Sequence, residues 1–163
     1  MLGAGGAARS VAYVLLKFFR TSQIIVASRT ASKAKDLVEH FKNFHDPRLA
    51  STTFDDPQFP AVARDSAVIV NSTPVGMYPN TGRVAHETLE FRQGQTAVDL
   101  IYRPLQTEFL RRAKHSGART ISGLEMFIHQ GSRVFELWTG KQMDIVKIRA
   151  LLVDALTKDA GQV

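Results

Sequence analysis

Two short stretches near the start of the chain carry residue types suited to holding an anion. The first, GAGGAAR, runs from Gly3 to Arg9, and the second, SRTASK, from Ser28 to Lys33. Gly3, Gly5 and Ala8 fit the spacing G-x-G-x-x-A, the phosphate-binding turn between a strand and a helix. Gly3 would allow the tight turn, Gly5 would let the backbone approach a pyrophosphate, and Ala8 would keep the helix close to its sheet. The free N–H groups and positive dipole end of that helix would then face the phosphates. A turn that merely packs well has the same letters, so the motif needs support from elsewhere.

That support stands about twenty residues further on. A dinucleotide with a free ribose hydroxyl calls for Asp or Glu at the tip of the second strand, but the first acid in the chain is Asp36. Arg29 occupies the place instead, flanked by the hydroxyls of Ser28 and Thr30, with Lys33 one helical turn later. A guanidinium suits a 2′-phosphate by its charge and by its planar fork of donors. The expected ligand is therefore NADP rather than NAD. A solvated basic helix start is the plainer alternative.

The charge distribution agrees. The net charge is +6, and the residues before Asp36 include Arg9, Lys17, Arg20, Arg29, Lys33 and Lys35 with no acid among them. Beyond that point bases and acids balance, so the excess is local. A nucleic-acid surface would want a basic stripe interleaved with aromatics or a known motif, and neither is visible. A local anion site accounts for the excess better, and no nucleic-acid partner is expected. The five histidines show no metal spacing with carboxylates, and there is no cysteine for a thiolate site or a disulfide. No apolar run reaches the length of a membrane span, and the N-terminus lacks the pattern of a secretory signal. A cytoplasmic setting is expected.

These residues need elements to hold them. A helix is expected over Ala7 to Phe19, a buried strand over Ile24 to Ser28, and a helix over Thr30 to Phe44 with Leu37, Val38 and Phe41 on one face. Arg48 to Phe54 reads as a weaker strand. Asp55 to Ser66, with two prolines and several acids, reads as a surface connection with one helical turn at most. Ala67 to Asn71 is the next strand and runs into STPVGMYPNTG, whose prolines and glycines demand a loop. Thr96 to Ile101 is a strand and Leu105 to Ser116 a helix stopped by Gly117. Arg119 to Ser122 is a last short strand. A long helix over Gly123 to Thr139 follows, then one capped by Asp144 with Ile145, Ile148, Leu151, Leu152 and Ala155 along its face. Strands alternating with helices throughout 163 residues predict one α/β domain: a doubly wound, Rossmann-like parallel sheet with helices on both faces.

Five motifs, in order, resemble the cofactor-binding domain of the shikimate dehydrogenase family. They are GAGGAAR from Gly3, SRTASK from Ser28, NSTPVGM from Asn71, DLIYRPLQTEFL from Asp99 and GLEMFIHQG from Gly123. The second departs by Ser28, where asparagine is usual. The resemblance implies that Gly3, Ala4, Gly5, Gly6 and Ala7 hold the pyrophosphate, and that Ser28, Arg29, Thr30 and Lys33 clamp the adenosine 2′-phosphate. Asn71 and Thr73 would lie along the cofactor, with Leu100 and Gly123 lining its nicotinamide end. Tyr102 and Gln130 would reach toward the substrate, shikimate or 3-dehydroshikimate. Read without the family, Tyr102 is an amphipathic rim residue and Gln130 a solvated helix position. Asp99 is expected to be a structural carboxylate.

The family's acid–base pair, a lysine and an aspartate, belongs to an N-terminal substrate domain with no counterpart in this sequence. Only Met1 and Leu2 precede the glycine turn where a whole strand is expected, so the sheet should be truncated there, leaving strands without partners beside an apolar groove. A piece of a longer two-domain enzyme, inactive toward shikimate alone, is the favoured expectation over a genuine short product. A quinate or aminoshikimate dehydrogenase part and a non-catalytic NADP-binding module are the alternatives.

Overall fold

The computed structural model describes residues 1–41 and 48–160. The expected continuation of the second helix to Phe44, and His45, lie outside them. The elements run α1 (Gly6–Phe18), β1 (Ile24–Ser28), α2 (Ala31–His40), β2 (Leu49–Thr53), α3 (Phe59–Asp65), β3 (Val68–Asn71), β4 (Thr96–Asp99), α4 (Glu108–His115), β5 (Arg119–Ile121), α5 (Leu124–Thr139) and α6 (Ile145–Ala160). Every strand pairing is parallel: β1 with β2, β3 with β4, and β4 with β5.

Leu2 joins the two groups of strands. It bridges Ala27 of β1 and Asn71 of β3, both in parallel sense. The spatial order is therefore β2, β1, Leu2, β3, β4, β5, the arrangement of a doubly wound sheet with its first strand in the middle. The expectation of strands without partners needs correcting at this level. Met1 and Leu2 hydrogen-bond on both sides, Met1 O accepting from Ala27 N at 2.8 Å and Leu2 N donating to Val70 O at 2.7 Å. Below them the expected groove is present, about 740 Å³ in volume and lined by Ile25, Phe59, Val62 and Val68 among others.

Alternate residues of β1 face opposite sides of the sheet, and each side has its own core. Ile24 and Val26 meet Ala8 and Ala12 of α1 and Ala34 and Leu37 of α2. Ala27 faces the other way, onto the core that holds Phe59 of α3 and Phe109 of α4. The small Ala8 and Ala12 let α1 lie close to the strands, as both are fully buried. Arg48 closes the far end of α1 by donating to the carbonyls of Leu16 and Phe19 at 3.0 Å each, where the helix dipole favours a cation.

Two further expectations change. Asp55 to Ser66 is more than a surface connection, because α3 occupies Phe59–Asp65 and buries Phe59 and Ala63. Pro60 sits at the start of that helix, where its missing N–H costs nothing. Buried Gln95 secures the other end, its side-chain amide donating to the carbonyls of Ala63, Arg64 and Ser66. On α6, Asp144 caps as expected through Lys147 N at 3.0 Å. Leu151 and Ala155, however, are exposed, so only part of the expected face is covered. Glu125 and Arg149 tie α6 to α5 by a two-pronged ion pair at 2.6 and 2.7 Å.

Candidate cofactor site

The glycine turn begins where Leu2 leaves the sheet. Gly3 has φ +100°, and a β-carbon there would lie 3.0 Å from Thr73 Cγ2 and 3.1 Å from Ser72 Oγ. Both the backbone and the close approach therefore demand glycine. Gly5 is the N-cap of α1, with no side chain capping the helix and no acid in its first turn. The first intrahelical bond runs from Arg9 N to Gly5 O, so the amides of Gly6, Ala7 and Ala8 have no acceptor within the helix. Nothing lies within 4 Å of a β-carbon built on Gly5 or Gly6. Open space above uncapped amides is what a pyrophosphate requires. Ala4 packs against the core between α1 and β1.

Gly3 N donates to Ala27 O at 2.8 Å, which sets the turn beside the tip of β1. Ser28 is buried there, and its Oγ accepts from Thr30 N at 3.3 Å. Arg29, Thr30 and Lys33 are exposed. No side chain caps α2 at Thr30 and no acid stands in its first turn. Among the described residues neither Arg29 nor Lys33 has an ion pair or side-chain hydrogen bond, so both cations are unengaged beside the turn.

The opposite half is a buried polar chain. Asn71, at the end of β3, engages both ends of its amide: Oδ1 accepts from Thr73 N at 3.1 Å and Thr73 Oγ1 at 2.7 Å, and Nδ2 donates to Asp99 Oδ1 at 3.1 Å. Asp99, at the end of β4, also accepts from Ile101 N and, at 2.6 Å, from Thr107 Oγ1. Burial pushes the Asp99 carboxyl up from its ordinary range, against the opposing pull of these hydrogen bonds. Asn71 is thus turned inward, and Thr73, half-buried, lies nearer the turn.

At the end expected to hold the nicotinamide, a β-carbon on Gly123 would fall on the carbonyl of Leu100, so the start of α5 touches the end of β4 directly. Tyr102 stacks on Phe127 with ring centroids 4.2 Å apart and planes at 17°. Gln130 is exposed one turn beyond Phe127 on the same side of α5. Sequence reasoning passed over Ser72, whose Oγ donates to Leu2 O at 2.6 Å, and Phe127. The i, i+4 spacing of Gly123 and Phe127 was the available signal for the latter.

The family described as the saccharopine dehydrogenase NADP binding domain matches residues 1–88, over half the chain. The one described as the shikimate 5′-dehydrogenase C-terminal domain matches residues 123–153. Shikimate dehydrogenase (NADP(+)) of Methanocaldococcus jannaschii is 37% identical over 160 residues, covering 96% of this chain and 54% of that one. The chain belongs to the NADP-binding domains of the shikimate dehydrogenase family. This NADP-binding domain is also similar to the solved Thermus thermophilus shikimate 5-dehydrogenase in complex with NADP(H) and shikimate. There the TM-score is 0.75 and the identity 34%, over 94% of this chain and 53% of that one. Quinate dehydrogenase from Corynebacterium glutamicum, in complex with NAD, gives a TM-score of 0.81 at 28% identity, over 94% of this chain and 53% of that one. The domain spans about half the length of these relatives.

Proposed function

We propose that this domain is the cofactor half of an NADP-dependent shikimate dehydrogenase. A substrate domain outside the present sequence would complete it and supply the catalytic lysine and aspartate. Bound NADPH would give up the hydride that reduces 3-dehydroshikimate to shikimate, and bound NADP+ would accept it in the reverse direction, on the route to chorismate and the aromatic amino acids. Gly3 to Ala7 would hold the pyrophosphate on the uncapped amides of α1. Ser28, Arg29, Thr30 and Lys33 would take the 2′-phosphate, and Leu100 and Gly123 would border the nicotinamide. Asn71 would act from behind Thr73. Tyr102, steadied by Phe127, and Gln130 would face the substrate across the cleft. The cytoplasm is the setting proposed.

The observation that carries this reading is the pair of unengaged cations, Arg29 just past β1 and Lys33 in the first turn of α2, with the end of β1 hydrogen-bonded to an open, uncapped glycine turn. The residues present fit a phosphorylated dinucleotide, because nothing at the strand tip could accept from a free ribose hydroxyl as a carboxylate would. The likeness to a quinate dehydrogenase keeps that substrate as the second reading. Calorimetric titration with NADPH and NADH tests the cofactor half; equal affinity for the two would overturn the 2′-phosphate assignment. An assay of shikimate and quinate oxidation with NADP tests the rest. The domain alone is expected to turn over neither, and steady turnover by it would refute the missing-domain proposal.

A further inference from the structure

We propose that Thr107 is a positioning residue for the pyrophosphate seat, acting through Asp99 and Asn71 to fix Thr73 against Gly3. The inference rests on the cofactor reading above, but its geometry stands without a ligand. Thr107 is 1% exposed and sits at the N-cap of α4, so it cannot touch a molecule in the open site. Capping uses only its lone pair, which accepts from Leu110 N at 3.2 Å. Its proton is committed elsewhere, to Asp99 Oδ2 at 2.6 Å.

That donation holds the carboxylate in place. Asp99 Oδ1 then stays an acceptor for Asn71 Nδ2 and Ile101 N. The Asn71 amide is left with one orientation, because a flip would set its NH2 against the N–H and hydroxyl of Thr73. With both Thr73 donors bound to Asn71 Oδ1, the Thr73 methyl is held against Gly3. Every link is buried or half-buried and has a single geometry, so a change at α4 reaches the glycine turn with no slack along the way.

The experiment compares Thr107→Val and Thr107→Ser with the unaltered domain. Valine keeps the shape and removes both hydrogen bonds, whereas serine keeps them. NADPH affinity is read calorimetrically well below the melting temperature. Thr107→Val is expected to raise the dissociation constant about tenfold, and Thr107→Ser to stay within about twofold of the original. In a Thr73→Val background the Thr107→Val change should have a smaller further effect, because the hydroxyl link to Asn71 is gone and only the backbone N–H of residue 73 still joins the two. Unchanged affinity in Thr107→Val with a lowered melting temperature, or losses that simply add in the double variant, overturns the proposal. Amide exchange at Thr73, measured without ligand, decides the matter even if the domain takes no NADPH. Faster exchange in Thr107→Val supports the relay, and unchanged exchange refutes it.

Discussion

The backbone N–H of Gly3 donates to the carbonyl of Ala27 at 2.8 Å, and this one bond sets the glycine turn beside the basic strand tip. Two signals separated by some twenty residues of sequence become neighbours through it.

Gly3 and Gly5 should fail in different ways when changed to alanine. Gly3→Ala meets a left-handed φ and the Thr73 methyl together, and should cost about 2–4 kcal/mol of stability. Gly5 has φ −88° and open space around it. Gly5→Ala should therefore keep stability within about 1 kcal/mol, yet obstruct the approach of a phosphate. Thermal melts paired with NADPH titrations of both variants check this. A stable Gly5→Ala that binds NADPH as before would show that the seat lies elsewhere.

Arg29→Ala should weaken NADPH roughly 10- to 100-fold, the worth of a charge-assisted pair of hydrogen bonds. NADH affinity should not change. Because Arg29 is exposed and unpaired among the described residues, the melting temperature should not move either. Lys33→Ala should act in the same direction and more weakly, since an ammonium is a point charge without the fork. A parallel loss of NADH binding would mean that Arg29 holds the pyrophosphate instead.

Contact at the start of α5 gives a third comparison. Gly123→Ala puts a methyl onto the Leu100 carbonyl, which only a backbone shift can relieve, at about 1–3 kcal/mol or more. Gly131, in the same helix, faces open space, and Gly131→Ala should stabilise by about 0.5–1 kcal/mol. Denaturant unfolding of the two variants reads opposite signs if α5 packs as described.

A pH effect follows from Glu108, in the first turn of α4. Hydrogen bonds from Arg111 and Arg112 lower its pKa from about 4.5 to about 2. A carboxyl with a lowered folded pKa contributes stability that is fully present above its unfolded value and is lost as pH falls through the folded one. The window is therefore pH 4.5 down to 2. Denaturant midpoints across it should fall more steeply for the unaltered domain than for Glu108→Gln. Identical slopes would show that the ion pairs do not persist in solution, as surface pairs often do not.

Much of this architecture was legible because local signals agreed with one another. The bounds of β1 follow from its apolar, β-branched run, and the glycine turn and Arg29 could be read by spacing alone. The helix α3 was hidden because Pro57, Pro60 and the neighbouring acids look like loop, while its apolar set is only Phe59, Val62 and Ala63. Its burial depends on Phe54, just past β2, and on Ile69 of β3. Likewise the resemblance singled out Tyr102 as a residue expected to reach toward substrate, but its stacking on Phe127 needs the β4–α5 contact first. The linkage of Asn71, Asp99 and Thr107 was out of reach for the same reason. The β3–β4 register pairs Asn71 with Asp99, and the start of α4 then brings Thr107 to Asp99.

Leu2 also stands between the two ends of the proposed site. Among the described residues, the backbone bonds that carry the sheet from β1 across to β3 are made by Met1, Leu2 and Gly3 alone. The adenosine end of the proposed site lies on the β1 side of this strip and the nicotinamide end on the β3 side. A dinucleotide lying across them would span the strip. By linkage, whatever it gains from that arrangement it returns as stability of the pairing between the two sides.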